Sequence, residues 1–120
     1  MPDLQRHQGG CHCGKVRYEV ETDLGKVVTC NCTICTKHGL LLTFVPRERF
    51  RLLSGAGDLR EYLFNTNRIR HQFCTGCGVE PFAYGTVPGT DQEMVAVNVR
   101  CLDDVDPAGL TPTPFDGKRL

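Results

Sequence analysis

The sequence predicts a mainly β fold: a single domain of several short antiparallel strands, held together in part by its cysteines. Three observations predict it. Short apolar stretches alternate with Gly, Pro, Asn and Asp turn signals along the chain. Helical periodicity is confined to a turn or two near residues 34–38. The chain has 120 residues, 40% of them hydrophobic, with eight cysteines and no tryptophan. That is one globular domain with a limited core, and a cross-linked centre would help it fold.

The elements follow in order. Residues 1–8 are polar and expected to be loose. Val16, Tyr18 and Val20 alternate with Arg17, Glu19 and Glu21, which predicts a half-buried strand. Asp23 and Gly25 mark a turn into a short strand over residues 27–30. The apolar run over residues 40–45, closed by Pro46, suits a strand, and residues 50–53 suit another. Ser54-Gly55-Ala56-Gly57-Asp58 is a turn. Strands over residues 59–64 and 69–73 flank Asn65-Thr66-Asn67, a hairpin loop. The last strands are expected at residues 79–84 and 94–99, with a Gly/Pro loop at 85–89 between them. Pro107, Pro112 and Pro114 make residues 107–120 an irregular tail. No repeat, low-complexity segment or linker divides the chain, so residues 1–120 are expected to form one domain.

Charge excludes some functions. Fourteen basic residues balance fourteen acidic ones, which argues against a surface tuned to nucleic acid or to an anionic membrane. No apolar run approaches the roughly 20 residues that span a bilayer. The opening MPDLQRHQGG lacks the apolar stretch of a secretory signal, so the expected location is cytoplasmic. In a reducing cytoplasm, clustered cysteines point to metal rather than to disulfides.

Seven cysteines fall into three groups: Cys11-His12-Cys13, Cys30-Asn31-Cys32-Thr33-Ile34-Cys35, and Cys74-Thr75-Gly76-Cys77 followed by Gly78. Close spacing lets two thiolates reach one zinc ion at about 2.3 Å, and the glycines let the chain bend around it. A closed structural site takes four ligands, which Cys11, Cys13, Cys74 and Cys77 supply. Cys30, Cys32 and Cys35 then leave a fourth position open, the arrangement of a catalytic zinc. Alternatively His38 or Cys101 completes that second site. An open three-thiolate zinc suits a thiol substrate, because a coordinated thiol is deprotonated outright. Attack of that thiol on an aldehyde needs a proton donor for the developing oxyanion. His38 is the catalytic candidate, with His71 as the alternative. Lys37 and Arg70 are candidates for a substrate carboxylate.

The order of these motifs resembles the glutathione-dependent formaldehyde-activating enzyme family, which includes centromere protein V. The resemblance rests on Gly10-Cys11-His12-Cys13-Gly14-Lys15-Val16-Arg17-Tyr18, on the Cys30–Cys35 motif, and on Phe73-Cys74-Thr75-Gly76-Cys77-Gly78-Val79. Val97-Asn98-Val99-Arg100-Cys101-Leu102-Asp103 and Phe115-Asp116-Gly117 resemble the centromere protein V branch. The resemblance implies a β fold similar to that of methionine sulfoxide reductase B. It also implies a structural zinc on Cys11, Cys13, Cys74 and Cys77, and a second on Cys30, Cys32 and Cys35. The implied activity is a carbon–sulfur lyase or synthase that forms S-(hydroxymethyl)glutathione, with glutathione as the small-molecule partner. Residues 32–39, 79–82 and 84–89 depart from the family pattern. The alternative function is a non-catalytic zinc module that binds a protein or nucleic-acid partner.

Overall fold

Alternation decides the first sheet. In β2 (Arg17–Thr22), Tyr18, Val20 and Thr22 are buried while Arg17, Glu19 and Glu21 are half-buried or exposed. The structure, a computed structural model, describes residues 4–63, 69–87 and 90–115. β2 lies between β1 (Gln5–Gly10) and β5 (Phe50–Ser54), with both pairings antiparallel. β1 corrects the expectation of a loose N-terminus, because residues 5–8 are strand. It pairs with β2 along its whole length, and His7 turns inward to meet Asp104, its Nδ1 3.0 Å from Oδ1. Polar residues on the outer side of an edge strand hide such a strand from a hydrophobicity pattern.

The second sheet has seven strands. In spatial order they are β10 (Thr113–Phe115), β3 (Val28–Cys30), β4 (Leu42–Pro46), β9 (Glu93–Asn98), β8 (Phe82–Thr86), β7 (Arg70–Cys74) and β6 (Leu59–Tyr62). All pairings are antiparallel except β10 with β3. β10 corrects the expectation that residues 107–120 are irregular throughout. Thr113 N donates to Val27 O, and Asn31 N donates to Phe115 O, while Pro114 sits where no donor is needed. β8 starts later than expected, because residues 79–81 wrap the Cys74–Cys77 turn. Val79 O accepts from Cys74 N, and Pro81 O accepts from Asn98 N. Gly85 and Thr86, expected in a loop, extend β8 opposite Met94 and Glu93. The expected Asn65-Thr66-Asn67 hairpin loop lies outside the described residues, although β6 and β7 pair antiparallel on either side of it.

The seven-stranded sheet uses both faces. Val45, Phe82, Val95 and Val97 pack toward Tyr18, Val20 and Phe50 of the three-stranded sheet. Tyr18, Phe50 and Phe82 meet with ring centroids 4.7 to 5.7 Å apart, separations at which aromatic pairs attract. The intervening residues Leu42, Ala83 and Ala96 point the other way and form a second cluster with Val28, Leu40 and Cys35. There the helix α1 (Thr33–His38) packs, ending at Gly39 in a left-handed conformation with φ 65°. The fold is mainly β, as the turn-punctuated strands predict. Among the described residues no helix is long and apolar enough to cross a membrane.

Candidate metal centres

The first centre joins distant parts of the chain. Cys11 and Cys13 follow β1, Cys74 ends β7 and Cys77 lies in the turn beyond it. Their sulfurs all lie within 4.8 Å of one another. Cys13 Sγ is 3.5 Å from Cys11 Sγ and 3.6 Å from Cys74 Sγ. Bonds of about 2.3 Å at tetrahedral angles would separate two sulfurs by about 3.8 Å, whereas a disulfide needs about 2.05 Å. The donor set therefore fits a tetrahedral metal and not a cross-link. Backbone N–H groups already point at the sulfurs, Val16 N to Cys11 at 3.4 Å and Gly76 N to Cys74 at 3.3 Å. Gly78, at φ 82°, takes the left-handed turn that lets Cys74 and Cys77 face one point.

The thiols of this centre shift one another. The Val79 backbone N–H, outweighing a small burial effect, brings the Cys77 thiol down to about 6. Cys13 is pulled down by the Lys15 N–H, but the thiols of Cys11 and Cys74 carry it up to about 11. Burial raises Cys11, yet the Val16 N–H and its thiol neighbours leave it lowered. One thiolate in such a group thus suppresses the next. A bound dication removes that repulsion and lets every ligand ionise.

The second centre is local. Cys30 ends β3, Cys32 caps the start of α1 and Cys35 is the buried residue of α1. Their sulfurs also lie within 4.8 Å of one another, and among the described residues no fourth His, Cys, Asp or Glu joins them. The same division recurs. Burial, then the Cys32 thiol, raises Cys35, and burial raises Cys30. Burial opposes ionisation of Cys32 too, but the Cys35 N–H and the neighbouring thiols leave it lowered.

The other predicted residues separate clearly. His38 ends α1, and its Nδ1 lies 2.7 Å from Oε1 of Glu80. His71 on β7 is buried, with Nδ1 2.7 Å from Oε2 of the same carboxylate. Glu80 itself is 5% exposed. Sequence reasoning missed it as a site residue; its one signal is an acidic residue beside Pro81 in an otherwise apolar stretch after Gly78. Cys101 belongs to neither cysteine group, and its thiol faces Glu80 O at 3.9 Å. Burial, then the thiols of Cys11 and Cys77, pushes Cys101 up to about 12. Lys37 is exposed on α1. Arg70 lies 3.9 Å from Glu61, 3.8 Å from Glu93 and 5.4 Å over the Tyr84 ring. His12 is exposed between its two cysteine neighbours. A surface cavity of about 460 Å³ is lined by Lys26, Thr43, Phe44, Met94 and Phe115 among others, with no cysteine or histidine in its lining.

Comparison with known proteins gives a similar fold and a family. A crystal structure of a Rhodobacter sphaeroides protein is similar, with a TM-score of 0.78 and 30% sequence identity, over 89% of this chain and 97% of that one. The family model described as glutathione-dependent formaldehyde-activating enzyme matches residues 6–114, a span that begins in β1 and reaches β10 and so includes all seven clustered cysteines. By that match, the chain belongs to the glutathione-dependent formaldehyde-activating enzyme family.

Proposed function

We propose that this chain is a zinc-dependent carbon–sulfur lyase or synthase that joins a glutathione-like thiol to an aldehyde and releases both in reverse. The observation that carries this reading is the three-cysteine group Cys30, Cys32 and Cys35, without a fourth ligand among the described residues. The family's name supports glutathione and formaldehyde as the reacting pair. In this reading Cys11, Cys13, Cys74 and Cys77 hold a structural zinc, and the three-cysteine group holds a second ion with a position left for substrate. Zinc bound there supplies a lowered pKa for a thiol in that position.

The chain's own residues handle the proton. His38 follows Cys35 by one helical turn, a spacing that places the two side chains on one face of α1. His38 takes the proton from the thiol S–H. The sulfur bonds to the carbonyl carbon, and His38 returns the proton to the oxygen, giving an S-hydroxymethyl thiol with no other reactant needed. Lys37, on the same short helix and exposed, is the nearer candidate for a substrate carboxylate; Arg70 already faces Glu61 and Glu93. The cytoplasm, a reducing compartment, suits seven metal-ligating thiols.

The test is exchange NMR of glutathione, formaldehyde and their adduct with the zinc-loaded chain. The expected result is faster exchange than in buffer, with about two zinc ions per chain. Cys35→Ser should abolish the acceleration and leave most of the fold intact. Cys77→Ser should cost on the order of several kcal/mol of stability. A fully zinc-loaded chain that exchanges no faster than buffer would overturn the enzyme reading in favour of a binding module.

A further inference from the structure

Glu80 connects the two centres. It lies three residues after Cys77, yet its carboxylate reaches His38, which follows Cys35. Both carboxylate oxygens are used, Oε1 with His38 and Oε2 with His71, each at 2.7 Å. The side chain is only 2% exposed, so neither oxygen can turn to water instead. The backbone is fixed as well: Asn98 Nδ2 donates to Glu80 O at 3.0 Å. The next carbonyl, Pro81 O, accepts from Asn98 N at 3.0 Å and from the buried Tyr18 hydroxyl at 3.3 Å. His71 pairs across the ladder with Ala83, a member of the apolar cluster that contains Cys35. The network therefore belongs to the same side of the large sheet as the second cysteine group.

An ionised carboxylate only accepts hydrogen bonds. Two imidazoles that both meet it through Nδ1 must both carry a proton on Nδ1. We infer that Glu80, braced by His71, is a positioning residue that locks His38 in its Nδ1–H tautomer and leaves Nε2 as the proton acceptor. The side chain of His38 is 38% exposed while its Nδ1 is turned inward, so the two ring nitrogens face different surroundings. A carboxylate behind an imidazole sets the tautomer and ring orientation of a general base. Here the second imidazole does for the carboxylate what the carboxylate does for the first. The use of this lock in proton transfer rests on the enzyme reading above; the lock itself does not.

The experiment is a long-range ¹⁵N–¹H correlation spectrum of the zinc-loaded full chain with ¹⁵N-labelled histidine. His38 and His71 should both show a protonated Nδ1, and His38 an unprotonated Nε2. In Glu80→Gln the amide oxygen can accept from one ring, while the amide N–H must donate to the other. One ring should therefore switch to the Nε2–H tautomer, with zinc content unchanged and thiol–aldehyde exchange slowed about 100-fold or more. His71→Gln can still donate to Oε2 and should keep His38 in the Nδ1–H form. A wild-type His38 protonated on Nε2 overturns the proposal even if E80Q does not fold, and so does an E80Q spectrum without a switch. A wild-type chain with the predicted tautomers and no exchange activity supports the lock and refutes the enzyme reading.

Discussion

Cys101 shows how far a thiol's surroundings decide its chemistry. It stands outside both cysteine groups, and burial holds its thiol protonated, at about 12. It should resist alkylation at neutral pH in the folded chain, because the thiolate is the reactive form. Cys101→Ala should leave the number of bound metal ions unchanged, counted by an indicator after acid release; loss of one equivalent would make Cys101 a ligand. Tyr18 is a second case. Its ring is fully buried and its hydroxyl donates to Pro81 O, which also accepts from Asn98 N. Tyr18→Phe removes one of those two donors, leaves the carbonyl partnered, and should cost about 1 kcal/mol in urea unfolding.

Elements are tied down at their ends by contacts that spacing does not announce. Arg17 of β2 donates to both oxygens of Asp103, which follows the turn after β9. The hydrogen bonds from Arg17, with a small opposing effect of burial, hold the Asp103 carboxyl below its ordinary value. A depressed carboxyl stabilises the fold above its unfolded pKa of about 3.9, and that stability is lost as pH falls through the folded value. Asp103→Asn should therefore flatten the acid side of the stability profile, by less than about 1 kcal/mol because the pair is exposed. Deletion of β10 removes its ladder with β3 and the two flanking hydrogen bonds, Thr113 N to Val27 O and Asn31 N to Phe115 O. It should cost about 2 kcal/mol and uncover the edge beside Cys30, which pairs with Phe115.

What the sequence made legible at this scale follows from the same physics. β2 and the run closed by Pro46 announced themselves because one face or both are buried. The three cysteine groups were legible because their members are set close along the chain, at the spacing metal ligands take. β1 was not, because its burial is made by His7 and an aspartate 97 positions away. Glu80 was hidden for the same reason, its partners lying 42 and nine positions away.

The whole molecule sets the two centres apart. Cys13 and Cys74 are 61 positions apart and meet only when both sheets are in place. Cys30, Cys32 and Cys35 come from one strand end and the helix beside it. Under the zinc assignment, a chelator should strip the metals in two phases. The second centre should release at a rate insensitive to mild urea. The first should release at the rate of global unfolding, at least ten times slower, since opening it requires the sheets to part. An absorbance indicator in a stopped-flow instrument resolves the two, and a single phase would contradict the division.

The distance between Cys13 and Cys74 also matters during biosynthesis. Translation runs from the N-terminus at about 5–20 residues per second. Cys30, Cys32 and Cys35 emerge almost together, whereas Cys11 and Cys13 must wait for the turn that follows β7, a delay of about 3–12 s at those rates. Until then they are a lone pair of thiols on a nascent chain. Zinc starvation or oxidant stress during synthesis should leave its marks there first, as adducts on Cys11 and Cys13 in mass spectra of the newly made protein. The centre that is hardest to open in the finished molecule is the easiest to spoil while the molecule is being made.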